Sequence, residues 1–96
     1  MNQYEVMYIM KPSLDEAAKA EVMATLHDYV TSNGGTITKV DDWGLKELAY
    51  SIDNMTKGYY VVFYAQASAE AVAEFDRRSR IHNQVVRHMI VNLDKE

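Results

Sequence analysis

Between residues 36 and 52 the chain alternates as a β-strand does, loses its parity at one glycine, and then alternates again. Ile37, Lys39 and Asp41 fall on one face and Thr38, Val40 and Asp42 on the other, because successive side chains of a strand point to opposite sides. Beyond Gly44 a second run takes over at Leu48, Tyr50 and Ile52. Glycine inside a strand commonly marks a bulge or a bend. These residues predict one long strand that bends at Gly44 and continues.

The flanking segments fall into order by the same reading. Residues 4–10 alternate and are rich in β-formers, with Tyr4, Val6, Tyr8 and Met10 on one face, and Pro12 stops them. Ser13 stands three residues before Glu16, the spacing of a capping box. Ala18, Val22, Leu26, Tyr29 and Val30 follow at helical spacing, and Asn33-Gly34-Gly35 supplies a left-handed stop. After the long strand, residues 53–58 read as a turn and residues 59–67 as a third strand. Ser68 caps a second helix over about residues 69–80, with Ala71, Val72 and Phe75 inward, and residues 85–93 close as a fourth strand.

That order is βαββαβ. With two right-handed crossovers it gives an α+β, ferredoxin-like domain over residues 1–96: a four-stranded antiparallel sheet with both helices on one face. The other sheet face stays open. If Val6, Tyr8, Val61, Phe63 and Ala65 face the helices, parity places Met7, Ile9, Tyr60, Val62 and Tyr64 on the open side. So much apolar material on a helix-free face points to a partner-binding surface.

The chain carries a net charge of −4, which at first argues against RNA. Its distribution reverses that impression. All four arginines, Arg77, Arg78, Arg80 and Arg87, lie in one stretch without acids that also holds His82 and His88. Phosphates respond to local potential more than to total charge. The blander reading is a solvated helix end pairing with Glu70, Glu74 and Asp76. No cysteine is present, so disulfides and thiolate metal sites are excluded. No apolar run approaches the roughly 18 residues that span a bilayer, and the first residues lack the pattern of a signal peptide, so a soluble cytoplasmic protein is expected.

Catalytic constellations are missing from the pattern. His27, His82 and His88 share no zinc-ligand spacing. Asp41 and Asp42 are neighbours on a strand, which defeats a shared metal or a carboxylate dyad. Asn33-Gly34-Gly35 follows a helix, whereas a phosphate-cradling loop precedes one. The expectation is no enzyme, metal or cofactor. His27, beside the apolar stripe, is expected to face solvent, and Met7, Met10, Met23 and Met89 to fill gaps in the core or the sheet.

Four segments carry a family likeness: Tyr4-Glu5-Val6-Met7-Tyr8-Ile9-Met10-Lys11-Pro12, the signature Trp43-Gly44-Leu45-Lys46-Glu47-Leu48-Ala49-Tyr50-Ser51-Ile52, Lys57-Gly58-Tyr59-Tyr60, and Arg80-Ile81 with Val85-Val86-Arg87. Together they resemble the family of the sixth protein of the bacterial small ribosomal subunit. The likeness spans nearly the whole chain. It implies a structural role in the ribosome, with binding to small-subunit ribosomal RNA as a heterodimer with the eighteenth small-subunit protein. Lys46 and Arg87 match basic positions of the family's second and fourth strands. With Arg78 and Arg80 at the end of the second helix, they are the expected RNA-binding residues. Asp41, Asp42, Glu47 and Asp53 are expected to complement a basic partner. Only Lys46 remains of the basic residues that often follow the glycine in this family, and Ser51 stands where proline is common.

A second reading shares the element order: an RNA-recognition-motif-like module that stacks single-stranded bases. Lys57-Gly58-Tyr59-Tyr60-Val61-Val62-Phe63-Tyr64 partly matches that module's third-strand motif. Val61 stands where an aromatic should stack, and parity turns Tyr59 and Val61 inward. A small-molecule-binding regulatory domain of the same fold has no specific residue in its favour.

Overall fold

Six elements follow in the expected order in a computed structural model, which describes residues 1–52 and 55–94. They are β1 (Asn2–Met10), α1 (Glu16–Thr31), β2 (Thr36–Ile52), β3 (Met55–Ala67), α2 (Ala69–Arg80) and β4 (Val85–Asn92). The strands lie in the order β2-β3-β1-β4, every neighbouring pair antiparallel. Both helices pack on one face, where Tyr4, Val6, Tyr8 and Met10 of β1 and Val61, Phe63, Ala65 and Ala67 of β3 meet Val22, Leu26 and Val30 of α1 and Ala71 and Phe75 of α2. The ferredoxin-like arrangement is thus present.

Local chemistry sets the boundaries, with some differences from expectation. Asp15, not Ser13, caps α1: its carboxylate accepts from Ala18 N at 2.8 Å. Asp15 directly precedes the first helical residue, and an acid there also meets the positive end of the helix dipole. Ser68 caps α2 by accepting from Ala71 N at 3.1 Å. Gly34 ends α1 with φ at 88°, and the next amide, Gly35 N, donates to Val30 O at 3.0 Å. A Cβ at Gly35 would lie 2.5 Å from Val30 Cγ1 and 2.9 Å from Val30 O, so this crossing has room only for glycine. Of the turn expected at residues 53–58, residues 55–58 are strand instead. Residues 53 and 54 lie outside the described residues, and β3 already begins at Met55, with Glu47 opposite Lys57 and Lys46 opposite Gly58.

The long strand bends at Gly44 as expected, with φ at 79° and a register shift between Asp42 and Gly44. Asp42 secures that bulge: one carboxylate oxygen accepts from Gly44 N at 3.0 Å and the other from the Tyr59 hydroxyl at 2.7 Å. That hydrogen bond pushes the Tyr59 hydroxyl pKa up to about 12. A second shift was not expected. Between Ile37 and Lys39 two steps of β2 meet one of β3, so Ile37 lies opposite Ala65 on the helix side while Lys39 lies opposite Tyr64 on the open side. The expected common face of Ile37, Lys39 and Asp41 is therefore split. Thr38 is the extra residue, and its hydroxyl donates to Tyr64 O at 3.1 Å.

His27 does not simply face solvent. Its ring lies 4.9 Å from that of Phe63, its Nε2 meets the Tyr8 hydroxyl at 3.0 Å, and burial lowers its pKa. A lowered folded-state value means that the unfolded chain binds the proton more readily. This contribution to stability is full above the unfolded value of about 6.5 and is lost as pH falls through the folded one. Chemical denaturation at pH 7.5 and 5.5 should show wild type weakening more on acidification than His27→Gln. An equal change in both proteins would remove His27 as the cause.

Candidate partner and RNA surfaces

Register fixes what the helix-free side presents. Tyr64 stands between Lys39 and Glu5, Val62 between Asp41 and Met7, and Tyr60 between Gly44 and Ile9. On the far side of β1, Val91 pairs with Glu5, Met89 with Met7 and Arg87 with Ile9. All five expected partner-binding residues, Met7, Ile9, Tyr60, Val62 and Tyr64, share this face. They are not equally available. Ile9 and Val62 are only 4% and 2% exposed, covered although neither belongs to the helix-side core. Gly58 leaves room for Ile9, since a Cβ there would collide with Ile9 Cγ2.

What the face offers is a rim of partly exposed residues over this floor. Trp43 stacks on Tyr60, with ring centroids 6.5 Å apart and planes within 10°. The Tyr64 hydroxyl donates to Glu5 at 2.9 Å, which raises its pKa, and Lys39 Nζ stands 5.9 Å from the Tyr64 ring centre. Trp43 and Met89 are 49% and 53% exposed, and Val91 is exposed as well. The sequence places Trp43 in the family signature and Met89 among the fillers, and assigns neither of them, nor Val91, to a partner surface. Continuing the parity of β1 across to β4 would have found Met89 and Val91. Tyr59 and Val61 point to the helix side, so the third strand presents no stacking pair at those positions. Val61 is fully buried, and Lys19 Nζ covers the Tyr59 ring at 4.2 Å.

The four expected RNA-binding residues fall into two groups. Lys46 and Arg87 lie opposite Gly58 and Ile9, at either end of the helix-free face. Arg78 and Arg80 lie at the end of α2, in the helix layer. There the helix pairs with itself: Arg77 and Arg78 take Glu74 at 2.8 and 3.3 Å, and Arg80 takes Asp76 at 2.6 Å. The hydrogen bond from Arg77, with the nearby positive charges, holds the Glu74 carboxyl below its usual pKa. Arg78 also stands 5.3 Å from the Tyr29 ring centre, in a groove shared with Arg77, Ile81 and His82. These ion pairs are exposed and contribute little to stability, so the side chains can exchange partners. Of the acidic group, Asp41 pairs with Lys39 at 3.7 Å, Asp42 is committed to the bulge, Glu47 is exposed, and Asp53 lies outside the described residues.

Among the described residues no three His, Asp or Glu side chains are placed to hold a metal ion, and no helix is long and apolar enough to cross a membrane. A sequence model of the family described as Ribosomal protein S6 matches residues 3–92. The chain is 41% identical over 95 residues to the small ribosomal subunit protein bS6 of Carboxydothermus hydrogenoformans, covering 99% of both chains. Its fold is similar to the crystal structure of 30S ribosomal protein S6 from Thermotoga maritima, with a TM-score of 0.89 at 23% identity over 95% of this chain and 86% of that one. The signature around Gly44, the βαββαβ sheet and these matches agree: the chain belongs to the ribosomal protein S6 family of the small ribosomal subunit.

Proposed function

We propose that this protein binds small-subunit ribosomal RNA jointly with the eighteenth small-subunit protein, as a structural and non-catalytic part of the cytoplasmic ribosome. The observation that carries this reading is the helix-free face, an apolar floor and aromatic rim flanked by Lys46 and Arg87 in a chain of net charge −4. The partner seats on Met7, Tyr60 and Tyr64, above the covered Ile9 and Val62. Lys46, Arg78, Arg80 and Arg87 meet phosphates. An acidic protein with few cations gains little from RNA alone, and sharing the junction with a basic partner multiplies affinity without new contacts of its own.

The test is a pair of titrations of a small-subunit RNA fragment from the central domain. With the eighteenth protein present, the chain should bind on the order of a hundredfold more tightly than alone. Equal affinity in the two titrations would sink the joint-binding reading.

A further inference from the structure

We infer that the partner sets an arginine on Glu5, in the middle of the helix-free face, and that this one charge pair selects the partner; this rests on the joint-binding reading above. β1 and β3 are the inner strands of the sheet. Of the residues that they turn to the helix-free side, Glu5 alone is charged. It lies opposite Tyr64 of β3 on one side and Val91 of β4 on the other, and two residues before Met7. A protein that seats on the apolar rim of this face therefore covers Glu5 as well.

The Glu5 carboxylate is oriented but not neutralised. Its Oε2 accepts from the Tyr64 hydroxyl at 2.9 Å, and among the described residues Glu5 takes part in no ion pair. Other acids are already engaged. Asp41 pairs with Lys39 at 3.7 Å and Asp42 holds the bulge, while Asp76 of the helix layer meets both Arg80 and His88 Nε2 of β4 at 2.6 Å. A carboxylate offers about four lone-pair sites, and the tyrosine hydroxyl fills one. Covering it without a cation strips its water and puts nothing in its place. A guanidinium suits this point better than an ammonium, because its fork meets both carboxylate oxygens and its flat face lies against an aromatic ring. The Tyr64 ring beside Glu5 already has a cation near it, Lys39 Nζ at 5.9 Å from the ring centre. Lys39 is exposed and its pairing with Asp41 is loose, so it can give way. A protein that brings an apolar or acidic group to this point leaves Glu5 covered and uncompensated, and is thereby rejected.

The test is a double-mutant cycle read by calorimetric titration of the eighteenth protein. Glu5→Gln keeps the shape of the side chain and an oxygen for the Tyr64 hydroxyl, and denaturation curves would check that it folds. It should bind the partner at least about 30-fold more weakly than wild type, because the arginine is then covered without its counter-charge. Replacing the partner's arginines by Gln one at a time should find one whose loss weakens binding to wild type by a similar factor. Against Glu5→Gln the same replacement should cost less than about threefold, since the pair is already broken. Glu5→Gln that binds as tightly as wild type would overturn the seat. So would an arginine scan against wild type in which no replacement weakens binding beyond a few-fold, a result that needs no variant of this chain to fold. A scan whose effects are the same against wild type and Glu5→Gln would overturn it too. Wild type that takes up no partner would overturn the joint-binding reading itself, whereas a tight wild-type complex without coupling overturns only the arginine seat.

Discussion

Phe63→Ala is expected to destabilise the fold by about 3–5 kcal/mol, the largest loss from a single truncation considered for this chain. Phe63 is fully buried at the middle of β3. Its ring lies 6.2 Å from Tyr8 of β1, 4.9 Å from His27 of α1 and 5.5 Å from Phe75 of α2. It therefore joins the sheet to both helices. Removing it deletes apolar contacts on three sides, and its neighbours sit on different elements that cannot all close in together. The cost includes a cavity as well as the lost transfer free energy. Chemical denaturation should show a lower midpoint at an unchanged slope. A change under about 1 kcal/mol would show that this aromatic cluster is not the centre of the core.

Much of this arrangement was legible before the structure, for reasons that can be named. The alternation of β1 and of residues 59–67 is regular and unbroken, so one parity choice assigned Tyr8 and Phe63 to the helices and Tyr60 and Tyr64 to the open side. Gly44 announced its bulge because it takes a positive φ that other residues rarely adopt. The bulge at Thr38 had no such marker. Ile37-Thr38-Lys39 alternates like a plain strand, and only pairing with β3 reveals the extra residue. His27 was misplaced because it stands at the edge of the helical stripe, where its surroundings depend on how closely α1 approaches Phe63.

The cationic groups show the same limit. Glu74 and Asp76 stand three or four residues before their arginines, so their pairing could be read from helical spacing. The approach of His88 to Asp76 spans two elements and depends on how α2 lies on β4, which no local pattern encodes. Trp43 drew notice as part of the family signature. Its stacking on Tyr60 required the strand to bulge beside it, and that geometry makes it part of the open face.

Tyr60→Ser should have the opposite profile to Phe63→Ala, although the two residues are only three positions apart on one strand. Tyr60 is half-buried on the helix-free face and packs against Trp43, so its loss should cost stability only about 1 kcal/mol, the scale of an aromatic pair. Its effect on the eighteenth protein should be larger. Tyrosine supplies wide, stiff contact area, and the covered Ile9 and Val62 beneath this face keep the rim from collapsing inward. Residues of this type at the centre of an interface commonly contribute 2 kcal/mol or more on truncation. The dissociation constant for the partner should therefore rise by roughly 30-fold. Calorimetric titration of the partner into wild type and Tyr60→Ser, with denaturation curves of both, separates the two effects. A folded variant that binds the partner as tightly as wild type would remove this face as the partner's seat. It would leave the apolar rim of Trp43, Tyr60 and Met89 to be explained by another contact.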